Sequence, residues 1–228
     1  MLELRHRAAP DPMTTHSPVP ATARHWTFPN ELWPDDWFHR LDPSDIFPSS
    51  VPVEVDLGCG EGAFLTGLAK AHPESGYLGV DRLLGRVRKC CRISGRSGLT
   101  NVRFLRLESL YAVEHLLPHG WADRIHMLFP DPWPKRRHWK RRLLRQTAFL
   151  RGVHGVLRTG GEFLFKTDHA GYLEDAREHR AWEGFFEEIA WDDDEVGEYP
   201  VTNFERHWLA EGRSIHRIRL RRLEAEMP

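Results

Sequence analysis

Between residues 53 and 167 the chain alternates short apolar runs with longer stretches whose apolar positions recur every three or four residues. Runs at 53–57, 77–81, 102–107, 125–130 and 162–167 carry the β-branched, aliphatic and aromatic residues of buried strands. The stretches at 61–72, 83–94, 109–117, 139–157 and 171–181 predict helices. In the second of these, Leu83, Leu84, Val87 and Cys91 form the inward face. Segments 185–190 and 214–220 predict two closing strands. This alternation predicts an α/β fold: a doubly wound, mostly parallel seven-stranded sheet whose last strand is antiparallel.

The flanks read differently. Residues 1–24 hold Pro10, Pro12, Pro18 and Pro20 but few large apolar side chains, which predicts a flexible tail. Segment 25–50 places Trp26, Phe28, Trp33, Trp37, Phe38, Ile46 and Phe47 among prolines and acids. It predicts an aromatic arm strapped onto the main domain, 51–228. With 228 residues and 40% hydrophobic content the chain can bury a sizeable core. Cys59, Cys90 and Cys91 offer neither a disulfide framework nor zinc-ligand spacing. No apolar run reaches the roughly 18 residues of a membrane span. These features predict a cytoplasmic protein without metal.

The first strand runs into Asp56-Leu57-Gly58-Cys59-Gly60-Glu61-Gly62, a turn whose glycines let a ligand approach the backbone at the sheet edge. Asp81 ends the second strand, where a carboxylate can accept from ribose hydroxyls. Gly58, Gly60 and Ala63 also satisfy the dinucleotide pattern, so the glycines do not choose a cofactor. Asp56 and Glu61 tilt the choice. An acid before the first glycine suits the cationic amino end of S-adenosylmethionine, and both acids repel a pyrophosphate.

The fourth strand ends in Phe129-Pro130-Asp131-Pro132-Trp133-Pro134-Lys135-Arg136-Arg137-His138-Trp139-Lys140-Arg141-Arg142. Three prolines stiffen this loop, and Asp131 falls at a strand C-terminus, where α/β sheets bind ligands. Trp133 suits base stacking, and the basic run after it suits phosphates. Here the chain resembles the tRNA (guanine-N7-)-methyltransferases over roughly 51–215. The resemblance rests on this motif, on Thr167-Asp168 and on Thr202-Asn203-Phe204-Glu205. It implies a Rossmann-like class I methyltransferase that uses S-adenosylmethionine to methylate N7 of a variable-loop guanosine in tRNA, as a monomer or homodimer. By the same resemblance Asp56, Gly58, Asp81, Glu108 and Asp131 would hold the cofactor, and Asp131 would be catalytic. Lys135, Asp168, Thr202, Asn203, Phe204 and Glu205 would bind the substrate. Arg137, Lys140, Arg141 and Arg142 would contact the tRNA backbone. Asp56 and Asp81 stand where the family often carries Glu, and Glu108 where Asp is usual.

Three other readings fit parts of this pattern: an exocyclic-amine RNA or DNA methyltransferase, an NAD-dependent oxidoreductase and a non-catalytic RNA-binding module. Charge favours a polyanion partner in spite of a net charge of -1. Segments 82–96, 135–145 and 217–222 hold 17 of the 32 Lys and Arg and no Asp or Glu. Neutrality is a cancellation between these segments and an acidic remainder.

Overall fold

The computed structural model describes residues 28–47, 50–197 and 199–224. The segment expected to form a tail, 1–24, lies outside them, as does Trp26. From the aromatic arm come β1 (Glu31–Leu32) and α1 (Pro43–Ile46). The first half of the domain is β2 (Val53–Leu57), α2 (Ala63–Ala71), β3 (Gly76–Asp81), α3 (Leu84–Arg96), β4 (Val102–Arg106) and α4 (Ser109–Tyr111). A π-helical turn at Ala112–Leu116 continues α4. The second half is β5 (Ala122–Leu128), 3₁₀ segments at Arg136–Arg141 and Leu143–Arg145, α5 (Thr147–Val156), β6 (Leu157–Thr167) and α6 (Ala170–His179). It closes with β7 (Phe186–Ile189), α7 (Asp193–Val196), α8 (Asn203–Ala210) and β8 (His216–Arg222).

The strands form one sheet in the order β1-β4-β3-β2-β5-β6-β8-β7, with β8 antiparallel to both its neighbours. The seven predicted strands are present, and β1 adds an eighth, parallel to β4 at the edge. A two-residue strand carries too little periodicity to be read from sequence. Strand order reverses between β2 and β5, and at such a switch point the strand C-termini open a crevice.

Helices cover both faces, so the central strands bury nearly every side chain and read as continuous apolar runs. Val55, Leu78, Ile125, Phe163 and Phe165 anchor the larger core cluster, and Phe64, Leu65, Tyr77, Val87 and Phe104 a second one beneath α3. The arm contributes Ile46 and Phe47 to the larger cluster, with Leu32, Trp37 and Leu41 against it. Arg40 secures the arm by donating to the carbonyl oxygens of Glu114 and Leu117 at 2.5 Å each. Those carbonyls end the π turn and have no helical partner, so the guanidinium caps them.

Two predicted helices differ from the structure. α3 buries Val87, Cys90, Cys91 and Ser94, while Leu83 is 44% exposed. The helix is turned to bring Cys90 beneath the glycine loop, where its thiol donates to the Gly60 carbonyl at 3.3 Å. The helix expected over 139–157 starts only at Thr147, and the basic run before it forms 3₁₀ turns. Arg142 is drawn inward at the junction of those turns, which a continuous solvated helix face would not allow.

Candidate active site

Five sequence-selected acids lie at or just beyond the C-terminal end of a parallel strand. Asp56 precedes the end of β2, Asp81 ends β3, Glu108 follows β4, Asp131 follows β5 and Asp168 follows β6. Between the β2, β5 and β6 ends lies a crevice of about 610 Å³. Its walls include Asp56, Gly58, Gly60, Asp131, Asp168, Thr202, Asn203 and Phe204. Most of the predicted cofactor and substrate residues therefore meet in one place.

The glycine loop is shaped by left-handed backbone. Gly58, Gly60 and Gly62 have φ of 87°, 57° and 74°, conformations costly for residues with a Cβ. At Gly62 a Cβ would also fall 2.8 Å from the Cys90 sulfur. The amides of Gly58 and Cys59 both donate to the Val80 carbonyl, pinning the loop to β3.

Asp56 is 2% exposed, and its Oδ1 has no hydrogen-bond partner among the described residues. Burial, and then the neighbouring charge of Asp81, raise its carboxyl pKa to about 8. A buried carboxyl with a free oxygen facing a crevice matches a cationic ligand group. Asp81 is turned inward. Its Oδ1 accepts from the Leu83 amide at 2.8 Å, and its Oδ2 from the Gly60 amide at 3.1 Å and Arg86 Nη1 at 3.4 Å. A ribose hydroxyl reaching Oδ2 competes with Arg86. Glu108 is exposed and caps α4, accepting from the Tyr111 amide at 2.9 Å.

On the opposite wall, Pro130-Asp131-Pro132 is bracketed by two aromatic residues with positive φ, Phe129 at 53° and Trp133 at 45°. Bulky residues occupy this region only when the surroundings impose it. The Phe129 amide donates to the Lys166 carbonyl at 2.8 Å, and Arg142 Nε donates to the Pro132 carbonyl at 2.9 Å. Fixed at both ends, the loop holds Asp131 exposed at the crevice mouth. The Trp133 ring meets the Arg141 guanidinium at 4.7 Å, so one candidate stacking surface is already engaged.

Arg142 is a correction to the sequence reading. Expected on the tRNA backbone, it is 1% exposed and pairs with Asp175 at 2.8 Å, between the rings of Trp139 and Tyr172. It braces the Asp131 loop from beneath. Arg137, Lys140, Arg141 and Lys135 do face solvent, as phosphate contacts require.

Glu205 also differs from expectation, being 3% exposed and bonded to Lys166 Nζ at 2.9 Å. Lys166 in turn lies 4.2 Å from the centre of the Tyr199 ring, whose hydroxyl bonds His126 at 2.9 Å, and His126 bonds Glu54 at 2.7 Å. The chain Glu54–His126–Tyr199–Lys166–Glu205 fastens α8 to the sheet, with Glu205 turned inward. Thr202 caps α8, its hydroxyl oxygen accepting from the Glu205 amide at 2.9 Å. That leaves Asn203 and Phe204 exposed, Phe204 by 54%. Asp168 pairs with Arg213 at 3.1 Å, and Arg213 stacks on Trp208 at 3.8 Å.

Sequence reasoning missed Arg86, Lys166, Tyr199, Trp208 and Arg213. Lys166, Tyr199 and Arg213 act through contacts far along the chain, Arg86 and Trp208 through partners five residues away, and none stands in a motif.

A family model described as a putative methyltransferase matches residues 50–218. The tRNA (guanine-N(7)-)-methyltransferase of Syntrophotalea carbinolica is 36% identical over 186 residues, 79% of this chain and 78% of that protein. The chain belongs to the tRNA (guanine-N7-)-methyltransferase family. Another member, from Streptococcus thermophilus, is 33% identical over 76% of this chain and 82% of its own length. The fold recurs beyond the family. A 16S rRNA (adenine-N(1))-methyltransferase from Catenulisporales acidiphilia, solved with cosubstrate SAM, superposes with a TM-score of 0.60 at 17% identity. The superposition covers 82% of this chain and 94% of that one. The chain is thus a methyltransferase by family and shares the fold of that SAM-bound enzyme.

Proposed function

We propose that this protein is a cytoplasmic enzyme that methylates N7 of a guanosine in the variable loop of tRNA. The observation that carries this reading is the convergence on one crevice of the Asp56 carboxyl with its unpartnered Oδ1, the braced Asp131 loop and the α8 N-terminus. The relatives' shared activity supports the substrate.

S-adenosylmethionine supplies a methyl group on a sulfonium, which any aligned lone pair can accept. Guanine N7 carries such a lone pair in the ring plane and no proton, so these residues need not include a general base. Their task is placement and charge. Asp56 and the backbone of Gly58 would hold the cationic methionine end. Asp131 would face the base, accept from its N–H edge and stabilise the positive charge that develops on the ring. Phe204 offers an exposed ring at the mouth, and Asn203 and Asp168 offer hydrogen-bonding groups beside it. Lys135, Arg137, Lys140 and Arg141 would take the flanking phosphates.

The direct test is nucleoside analysis of tRNA incubated with labelled S-adenosylmethionine. N7-methylguanosine is expected; an exocyclic methylamine would instead place the enzyme among amine methyltransferases, and no transfer would leave an RNA-binding module. Within the active enzyme, Asp131→Asn is expected to lower kcat by about a hundredfold, the usual loss on removing one preorganised electrostatic contact. Its Kd for S-adenosylmethionine should stay within about threefold of wild type by calorimetry. Undiminished kcat would remove Asp131 from the catalytic role.

A further inference from the structure

We propose that the exposed face of α3 is a second tRNA-backbone surface, separate from the basic run after β5; this rests on tRNA being the substrate. The helix and the residues leading into it carry Arg82, Arg86, Arg88, Lys89, Arg92 and Arg96 and no acid. Arg82, Arg88, Arg92 and Arg96 are exposed, and none makes an ion pair within the described residues. Other exposed arginines do pair with acids, as in Arg158 with Asp123, Arg177 with Glu188, Arg180 with Glu183 and Arg213 with Asp168.

The arrangement opposes the helix's own stability. Arg88 and Arg92, and Arg92 and Arg96, are four residues apart and repel across successive turns. Arg82 stands just before the positive N-terminal end of the helix, where an acid would be favoured. A bound polyanion relieves both conflicts. The inward face of α3 is already committed to the core through Val87, Cys90 and Cys91, so this is not a membrane-inserting helix.

Position supports the same occupant. Arg86 lines the cofactor crevice while the helix runs away from it along β3 and β4. The basic run after β5 leaves from the other wall, beginning beyond Asp131 and Pro132. Thirteen helical residues extend about 20 Å, enough for several successive phosphates. A tRNA whose target base enters the crevice would be held by phosphates on both sides of it.

The test is the triple variant Arg88→Gln, Arg92→Gln, Arg96→Gln in the full chain, with Arg177→Gln as a control on another face. Binding of unmodified tRNA is measured by fluorescence anisotropy at several salt concentrations. The triple variant is expected to weaken Kd at least tenfold and to reduce the slope of log Kd against log salt by about two to three, near 0.9 per phosphate lost. Its kcat at saturating tRNA and its S-adenosylmethionine Kd should match wild type, which also reports an intact fold. An unchanged tRNA Kd and salt slope would overturn the proposal and leave α3 as a solvated face. A wild-type enzyme that binds tRNA without methylating it would overturn the functional reading instead, since the α3 surface is judged on binding alone.

Discussion

Asp56→Asn is expected to make the ligand-free protein more stable at pH 7 while abolishing S-adenosylmethionine binding. The folded carboxyl titrates at about 8, whereas an unfolded Asp titrates near 3.8. Between those values the native state keeps a proton that the unfolded state releases. Native stability therefore falls as pH rises through this window, by about 1.4 kcal/mol per unit. At pH 7 the burden is on the order of 4 kcal/mol, and Asn, which does not ionise, escapes it. The variant's advantage should be large at pH 7 and vanish near pH 4, where both states of the wild type are protonated. Urea unfolding at the two pH values checks this, and a gap independent of pH would mean Asp56 is an ordinary exposed-type acid. The same titration governs the ligand. A cation needs the ionised carboxylate, so wild-type affinity should rise about tenfold from pH 6 to pH 7, with release of close to one proton. Calorimetry in buffers of different ionisation enthalpy counts that proton. Instability here is what makes the site able to select a cation.

Much of this was legible in the chain itself. Strands buried on both faces must be nearly all apolar, so β2 through β6 stand out as runs, and the acids just beyond them mark the crevice. The proline-bound Asp131 loop is equally plain, because Pro restricts its own φ and its neighbour's. What the sequence hides is where long side chains go. Arg142 and Arg141 are adjacent and chemically identical, yet one is buried and the other exposed. Their difference depends on Asp175 and Tyr172, about thirty residues later on α6, a helix whose docking no local pattern records. Glu205 hides in the same way, since its partner Lys166 lies on β6. The inward face of α3 holds Val87 and Cys91 as its pattern indicates, but Leu83 is exposed and Cys90 is drawn in by the glycine loop.

Arg142→Met is expected to destabilise the protein by about 3 kcal/mol, the low end of the usual consequence of removing one partner from a buried charge. Asp175 would keep Arg145, its half-exposed second partner, but lose the guanidinium that is enclosed with it. The carbonyls of Pro132 and Gly171 would lose their donors as well. Because Pro132 follows Asp131, the loop is released at the point where the aspartate is aimed. Activity should therefore fall more than stability alone explains, with kcat reduced in conditions where the fold is still fully populated. Arg141→Met gives the contrast: exposed and stacked on Trp133, it should shift stability by no more than about 0.5 kcal/mol while weakening tRNA binding. Denaturant unfolding and kcat measured on both variants distinguish the neighbours. The double variant Arg142→Met, Asp175→Leu then separates the two roles of Arg142. It removes the under-compensated buried carboxylate and should recover part of the stability, as apolar replacements of buried pairs often do. It should not recover kcat, because nothing holds Pro132. If the double variant regains both, Arg142 serves the fold alone and the Asp131 loop is held by its prolines.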